Sequence, residues 1–137
     1  ESASIESLTC IEQGFVAALD NGVLVARTPN SEQIWTASGC QITTQTAGFE
    51  DMHWCGRWDS IRGHLEVRAS SGELMVSSET SRPRVSDFSE NRIAFGFEDG
   101  QILVWERELF QRRSKQEKSE ENSRNSALAA KLRSLRK

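Results

Sequence analysis

The 137-residue chain has no tyrosine, only two prolines and, up to residue 105, no lysine. Each scarcity excludes something. With aromatics at 7%, a sugar-stacking cleft is not indicated. No apolar run approaches the ~18 residues that a spanning helix needs. The opening Glu1-Ser2-Ala3-Ser4 puts no basic residue before an apolar stretch, so no secretory signal is visible. It also lacks an initiator Met, and the chain reads as processed or as a piece of something longer. Three cysteines, Cys10, Cys40 and Cys55, are an odd number at wide spacing without a CxxC. A secreted disulfide framework is even and denser, so the thiols read as reduced, mostly as small buried hydrophobes, in a cytoplasmic protein.

Catalytic signatures are equally thin. There is no Gly-rich phosphate loop, no GxSxG and no HExxH. His53 and Cys55 share one side of a strand, but zinc takes four protein ligands or three plus water, and no second pair stands at suitable spacing. They read as core. The paired acids Glu50-Asp51 and Glu98-Asp99 sit at turns, where solvated carboxylates are common. The expectation is a non-enzyme without cofactor or metal; a hydrolase would need His or acidic groups converging at one place, which the sequence does not indicate. Phe49, Trp54 and Trp58 gather in the middle of the chain, and core is favoured over a binding platform.

What is present is a split of charge. Residues 1–105 hold seven Arg against fifteen acids, a net of −8, whereas residues 106–137 hold ten Lys and Arg against five acids, a net of +5. The overall 36% hydrophobic and 27% charged content suits one folded domain with a modest core. An acidic body and a basic tail are thus two segments.

The body repeats itself. Gly14–Gly22 with Val23–Arg27, Met52–Asp59 with His64–Arg68, and Arg92–Gly100 with Gln101–Trp105 each read as strand, tight turn and strand. Asn-Gly and Asp-Gly are preferred in two-residue hairpin turns. The turn glycines Gly22, Gly63 and Gly100 are 41 and 37 residues apart. Each period therefore has room for two more strands. Gln33–Ala37 and Glu73–Ser77 supply strands after the hairpins, and Ser4–Cys10, Cys40–Thr46 and Arg84–Phe88 supply strands before them. Four short antiparallel strands per ~40 residues is the composition of a propeller blade.

Asp99-Gly100-Gln101-Ile102-Leu103-Val104-Trp105 resembles the WD-repeat pattern of Asp-Gly, then Ile, then Val-Trp. The resemblance implies a β-propeller in which Asp99 and Trp105 belong to a buried hydrogen-bond network that stiffens the blade. The other repeats depart from it: Asn21 and Arg62 stand at the Asp99 position, Arg27 and Arg68 at the Trp105 position, and no Gly-His pair opens a blade. The expected fold is all-β, with blades over 5–39, 40–80 and 81–108 within a domain 1–108. A small sandwich or barrel is the alternative. Propellers close with roughly four to eight blades, so three imply completion by more of the same chain or by another chain.

The tail spans 109–137. Glu106–Arg113 reads either as a fourth strand of the last blade or as a helix start. Ser114–Ser126 has no apolar residue and reads as a solvated linker. Ser126 is a good N-cap for a short helix over 127–137, with Leu128, Leu132 and Leu135 on one face and Lys131, Arg133 and Arg136 beside them. Three readings stand for this segment: a leucine face docking on another protein, a solvated terminus, or an electrostatic anchor for nucleic acid or an anionic membrane surface. For the body, the resemblance implies a protein-interaction scaffold binding through its rim, with Asn21, Arg62, Arg82 and Arg84 as candidate contacts beside Asp99. Its partners are other protein chains or the rest of its own ring.

Overall fold

The computed structural model describes residues 3–113. Eleven strands follow one another: β1 (Ile5–Ile11), β2 (Gly14–Leu19), β3 (Leu24–Arg27), β4 (Gln33–Ala37), β5 (Gln41–Ala47), β6 (His53–Trp58), β7 (Gly63–Arg68), β8 (Leu74–Thr80), β9 (Pro83–Ser89), β10 (Arg92–Phe97) and β11 (Ile102–Glu106). They form three antiparallel meanders, β1-β2-β3-β4, β5-β6-β7-β8 and β9-β10-β11. A 3-10 turn, Phe49–Asp51, lies between β5 and β6. The fold is all-β, a partial propeller of stacked sheets.

The third sheet has three strands where the sequence pattern allowed four. After Glu106 the chain turns into a helix, α1, over 107–113. The reason lies in Phe110, the large ring in a stretch otherwise rich in charge. Its ring lies 5.8 Å from both Phe49 and Trp54, so the helix closes one end of the core rather than extending the sheet.

The first and third turns differ from the two-residue form. Leu19 donates to Val23 O and Gly22 to Leu19 O; Phe97 donates to Gln101 O and Gly100 to Phe97 O. Each is a three-residue loop ending in a left-handed glycine, with φ +84° at Gly22 and +88° at Gly100. In the second repeat Asp59 donates to Arg62 O across the two-residue loop Ser60-Ile61, with Ser60 left-handed at φ 82°. Gly63 is needed for space: a Cβ there would lie 2.0 Å from Ser81 O.

Period-two alternation sorts each sheet into two faces. The leading face of sheet one and the trailing face of sheet two bury Val16, Ala18, Leu24, Ala26 and Trp35 against Ile42 and Cys55. The leading face of sheet two and the trailing face of sheet three bury Phe49, Trp54, Leu65 and Val67 against Ile93, Phe95 and Phe97. Strand β6 serves both cores, so all of it but Trp58 is buried.

Candidate interaction surfaces

Of the residues expected on the rim, Asn21 and Arg62 occupy hairpin turns, Arg82 a connector and Arg84 the strand β9. Asn21 accepts from Val23 N at 3.2 Å and so spends its side chain on its own turn. Arg62 is exposed and donates to Glu79 Oε1 at 2.9 Å. Its turn is organised by Asp59, whose Oδ1 accepts from Ile61 N and Arg62 N and whose Oδ2 meets His64 Nε2 at 2.9 Å. The hydrogen bond from His64, followed by those from the backbone of Arg62 and Ile61, holds the Asp59 carboxyl well below the usual carboxylate range. Arg82, in the connector between β8 and β9, places its guanidinium 5.1 Å from the Trp58 ring centroid. Its carbonyl accepts from Glu98 N at 2.8 Å, which joins the third hairpin to the connector. Arg62 and Arg82 thus flank one hairpin. Arg82 and Arg84 share a groove with Glu6, Gln41, Ile42 and Thr43.

Of the central aromatics, Trp54 and Phe49 are core, while Trp58 is only half-buried under Arg82. The paired acids latch neighbouring elements: Asp51 Oδ1 accepts from Glu12 N at 3.0 Å, and Glu50 Oε1 accepts from Gln111 Nε2 at 3.1 Å.

Asp99 is exposed and its Oδ1 accepts from Gln101 N at 2.9 Å, an Asx turn rather than a buried link. Trp105 packs by its ring, 5.0 Å from Trp54 and 6.0 Å from Phe95. Among the described residues no hydrogen bond joins Asp99 to Trp105. No Gly-His pair opens a blade in this sequence, and here the acid serves its turn and the indole serves the core.

The buried polar network stands one sheet earlier, on residues the sequence reading passed over. Arg57, 1% exposed, donates through Nε to Glu66 Oε2 at 3.0 Å, and through Nη1 to Gly22 O at 2.7 Å and Cys40 O at 2.6 Å. One guanidinium therefore ties the first hairpin turn, the connector between sheets one and two, and β7. Arg68 joins through Glu66 at 3.3 Å and donates to Gly72 O at 3.0 Å. Arg27 repeats that last bond, to Ser31 O at 2.8 Å, so the arginines at the Trp105 position brace the turn that follows. The available signal was a charged residue at an alternation position shared with His53 and Cys55.

His53 and Cys55 lie on this same face and are buried. Among the described residues no group of three or more metal-ligating side chains forms. Burial pushes the Cys55 thiol up to about 12, which leaves it protonated and inert. Cys10, by contrast, is exposed, unlike the buried hydrophobe expected. His53 Nε2 meets Gln45 Oε1 at 2.7 Å, and the ring lies edge-on to Trp35 at 6.0 Å. Burial first, then the charges of Arg68 and Arg57, lower its pKa to about 3. An unfolded His titrates near ~6.5. The unfolded chain takes the proton more readily, so this stability is complete above ~6.5 and is lost as pH falls towards 3, at ~1.4 kcal/mol per unit. Between pH 7 and pH 5 the wild type is expected to lose about 2 kcal/mol more than His53→Gln, measured as urea midpoints.

Among the described residues two sheet faces remain open. On the leading face of sheet three, Val85, Ile102 and Val104 are 65, 68 and 55% exposed around Ala94 and Gly96. On the trailing face of sheet one, Leu8 is 62% exposed opposite Ala17, with Val25 and Phe15 beyond. The tail positions Leu128, Lys131, Leu132, Arg133, Leu135 and Arg136, and the whole expected helix 127–137, lie outside the described residues. No described helix is long and apolar enough to cross a membrane.

No protein-family model and no curated protein matches this chain. Its likeness is to solved structures. BBS1N, crystallised in complex with ARL6DN, matches at TM-score 0.63 and 14% identity, over 76% of this chain and 34% of that one. BamB from Moraxella catarrhalis matches at TM-score 0.61 and 16% identity, over 73% of this chain and 30% of that one. The computationally designed Ika4 protein matches at TM-score 0.62 and 19% identity, over 75% of this chain and 66% of that one. The chain therefore spans about a third of the length of the two natural proteins, and its fold is that of a β-propeller segment.

Proposed function

We propose that this chain is a non-catalytic protein-interaction module, a scaffold that works as part of a larger propeller or assembly. The observation that carries the reading is the pair of open faces. Two equivalent face-to-face contacts inside the chain each enclose a buried cluster, while Val85, Ile102 and Val104 at one end and Leu8 at the other are exposed. Contiguous exposed apolar surface of this kind marks docking sites. BBS1N, a similar fold, is a protein crystallised with a protein partner, which agrees with such a role. The rim offers a second contact area through Arg62, Arg82 and Arg84 with Asn21 beside them. The unpaired cysteines suit a reducing, cytoplasmic setting. The basic tail is read as a further protein-docking element through its leucines; anchoring to nucleic acid rests on its charge alone and ranks below.

The rim is tested by Arg62→Glu with Arg82→Glu. Both side chains are at or near the surface, so the fold is expected to survive while capture of protein partners falls at least about tenfold. Unchanged capture by the folded double variant would remove the rim from the interface.

A further inference from the structure

We propose that the open leading face of sheet three packs on the open trailing face of sheet one in a second copy of this chain, closing a two-copy, six-blade ring. The inference rests on reading those faces as docking surfaces, and it names the partner.

The argument starts from positional equivalence. Strand pairing sets Ala17 opposite Val25, Cys55 opposite Glu66, and Phe95 opposite Leu103. Each second partner lies two residues before Arg27, Arg68 or Trp105, so the three sheets share one register. In that register Val16, Ala18, Leu24 and Ala26 of sheet one match Trp54, Gly56, Leu65 and Val67 of sheet two. Both sets face forward, and nearly all of these side chains are buried by the next sheet. The matching set in sheet three is Ala94, Gly96, Ile102 and Val104. It has the same apolar or small character, yet Ile102 and Val104 are exposed. At these four positions the face is built like the two that are covered, whose cover is the trailing face of a sheet; beside them the face also carries Asp87, Arg92 and Glu106.

The innermost strands give the contact in detail. Across the first joint Gln45 Nε2 donates to Ser7 Oγ at 2.9 Å. Across the second, the hydroxyls of Ser86 and Thr44 are 2.6 Å apart. Gln45 and Ser86 stand opposite Cys55 and Phe95; the equivalent residue opposite Ala17 is Leu8. Ser7 and Thr44 stand opposite Ala18 and Gly56; the equivalent residue opposite Gly96 is Val85. The position pair that is polar at both internal joints becomes Leu8 on Val85 at the third. These two are apolar, and each is more than 60% exposed in the single chain.

Blade arithmetic then sets the stoichiometry. Two copies of the three described sheets supply six, within the range of roughly four to eight that closes a ring, whereas three copies would supply nine. The contact is heterologous, and it closes because the second copy returns its own leading face to the first.

Sedimentation of the 137-residue chain tests this. The wild type is expected at twice 15.4 kDa. Val85→Glu and Leu8→Lys, each a change at an exposed position that leaves circular dichroism unaltered, are expected to weaken association by about 100-fold or more. An equimolar mixture of the two variants is expected to recover the dimer. It pairs glutamate with lysine at one joint and leaves wild-type faces at the other. A monomeric wild type would overturn the proposal and give the faces to blades outside this sequence. If Val85→Glu then still lowered capture of other proteins, the docking reading would survive without the second copy. Open polymers, dissociation by only one of the variants, or a mixture that stays monomeric would each overturn the head-to-tail ring.

Discussion

Arg57→Met is expected to cost about 3–5 kcal/mol of folding stability, read from urea or thermal unfolding. The side chain is 1% exposed and its three partners belong to three separate elements. Methionine fills similar volume, so little of the loss is cavity. What remains is chemical. Glu66, at 15% side-chain exposure, keeps only Arg68 at 3.3 Å, and the carbonyls of Gly22 and Cys40 lose their charged donor. Unmatched buried acceptors cost about 1–3 kcal/mol each, more beside an orphaned charge. Removing both ends separates pair from packing: Arg57→Met with Glu66→Met should recover part of the loss, because a buried ion pair is worth less than the penalty for halving it. If the double variant is as unstable as the single, the carbonyl contacts dominate.

Trp54→Ala is the second large effect, at about 3–5 kcal/mol. The indole is 2% exposed at the centre of the second core, within 5.0 Å of Trp105, 5.8 Å of Phe110 and 6.3 Å of Phe95 between ring centroids. The backbone around it is tight: a Cβ on Gly48 would lie 2.3 Å from its ring. A cavity there is walled by other rings and strand backbone that cannot collapse inward. Its loss should also release α1, since Phe110 keeps only Phe49 as an aromatic neighbour. Trp58→Ala serves as the contrast. That ring is half-buried beneath Arg82, and the expected cost is about 1–2 kcal/mol. Equal costs for the two would mean that the second core is not where the stability resides.

The strands were legible in the sequence because each carries its own alternation between Gly or Asn punctuation, as in Arg92–Phe97 before Asp99-Gly100. The count of sheets followed from the spacing of the turns. The end of the third sheet was not legible: Glu106–Arg113 fits strand or helix by composition, and only the fit of Phe110 against Phe49 and Trp54 decides it. Nor was the Arg57 network. Its acceptors are backbone carbonyls 35 and 17 residues away, and carbonyls leave no mark on a sequence. The buried link expected of Asp99 and Trp105 departs in the opposite way. Asp99 and Trp105 have the spacing, but a side-chain network depends on all its members, and here each residue serves its nearest need.

The two internal joints are made of different materials. Behind sheet one Ile42 and Cys55 stand among a histidine, two arginines, a glutamate and a glutamine; behind sheet two stand an isoleucine, a leucine and four aromatic rings: Phe95, Phe97, Trp105 and Phe110. A face that carries Arg57 is satisfied only where the carbonyls of Gly22 and Cys40 await it, and a face of rings leaves those same carbonyls dry and unmatched. Blades are therefore not interchangeable, and their sequence order is written into the chemistry of each seam. The same difference sets where acid should act: His53 weakens the first seam as pH falls, whereas the buried cluster of the second holds no titratable group.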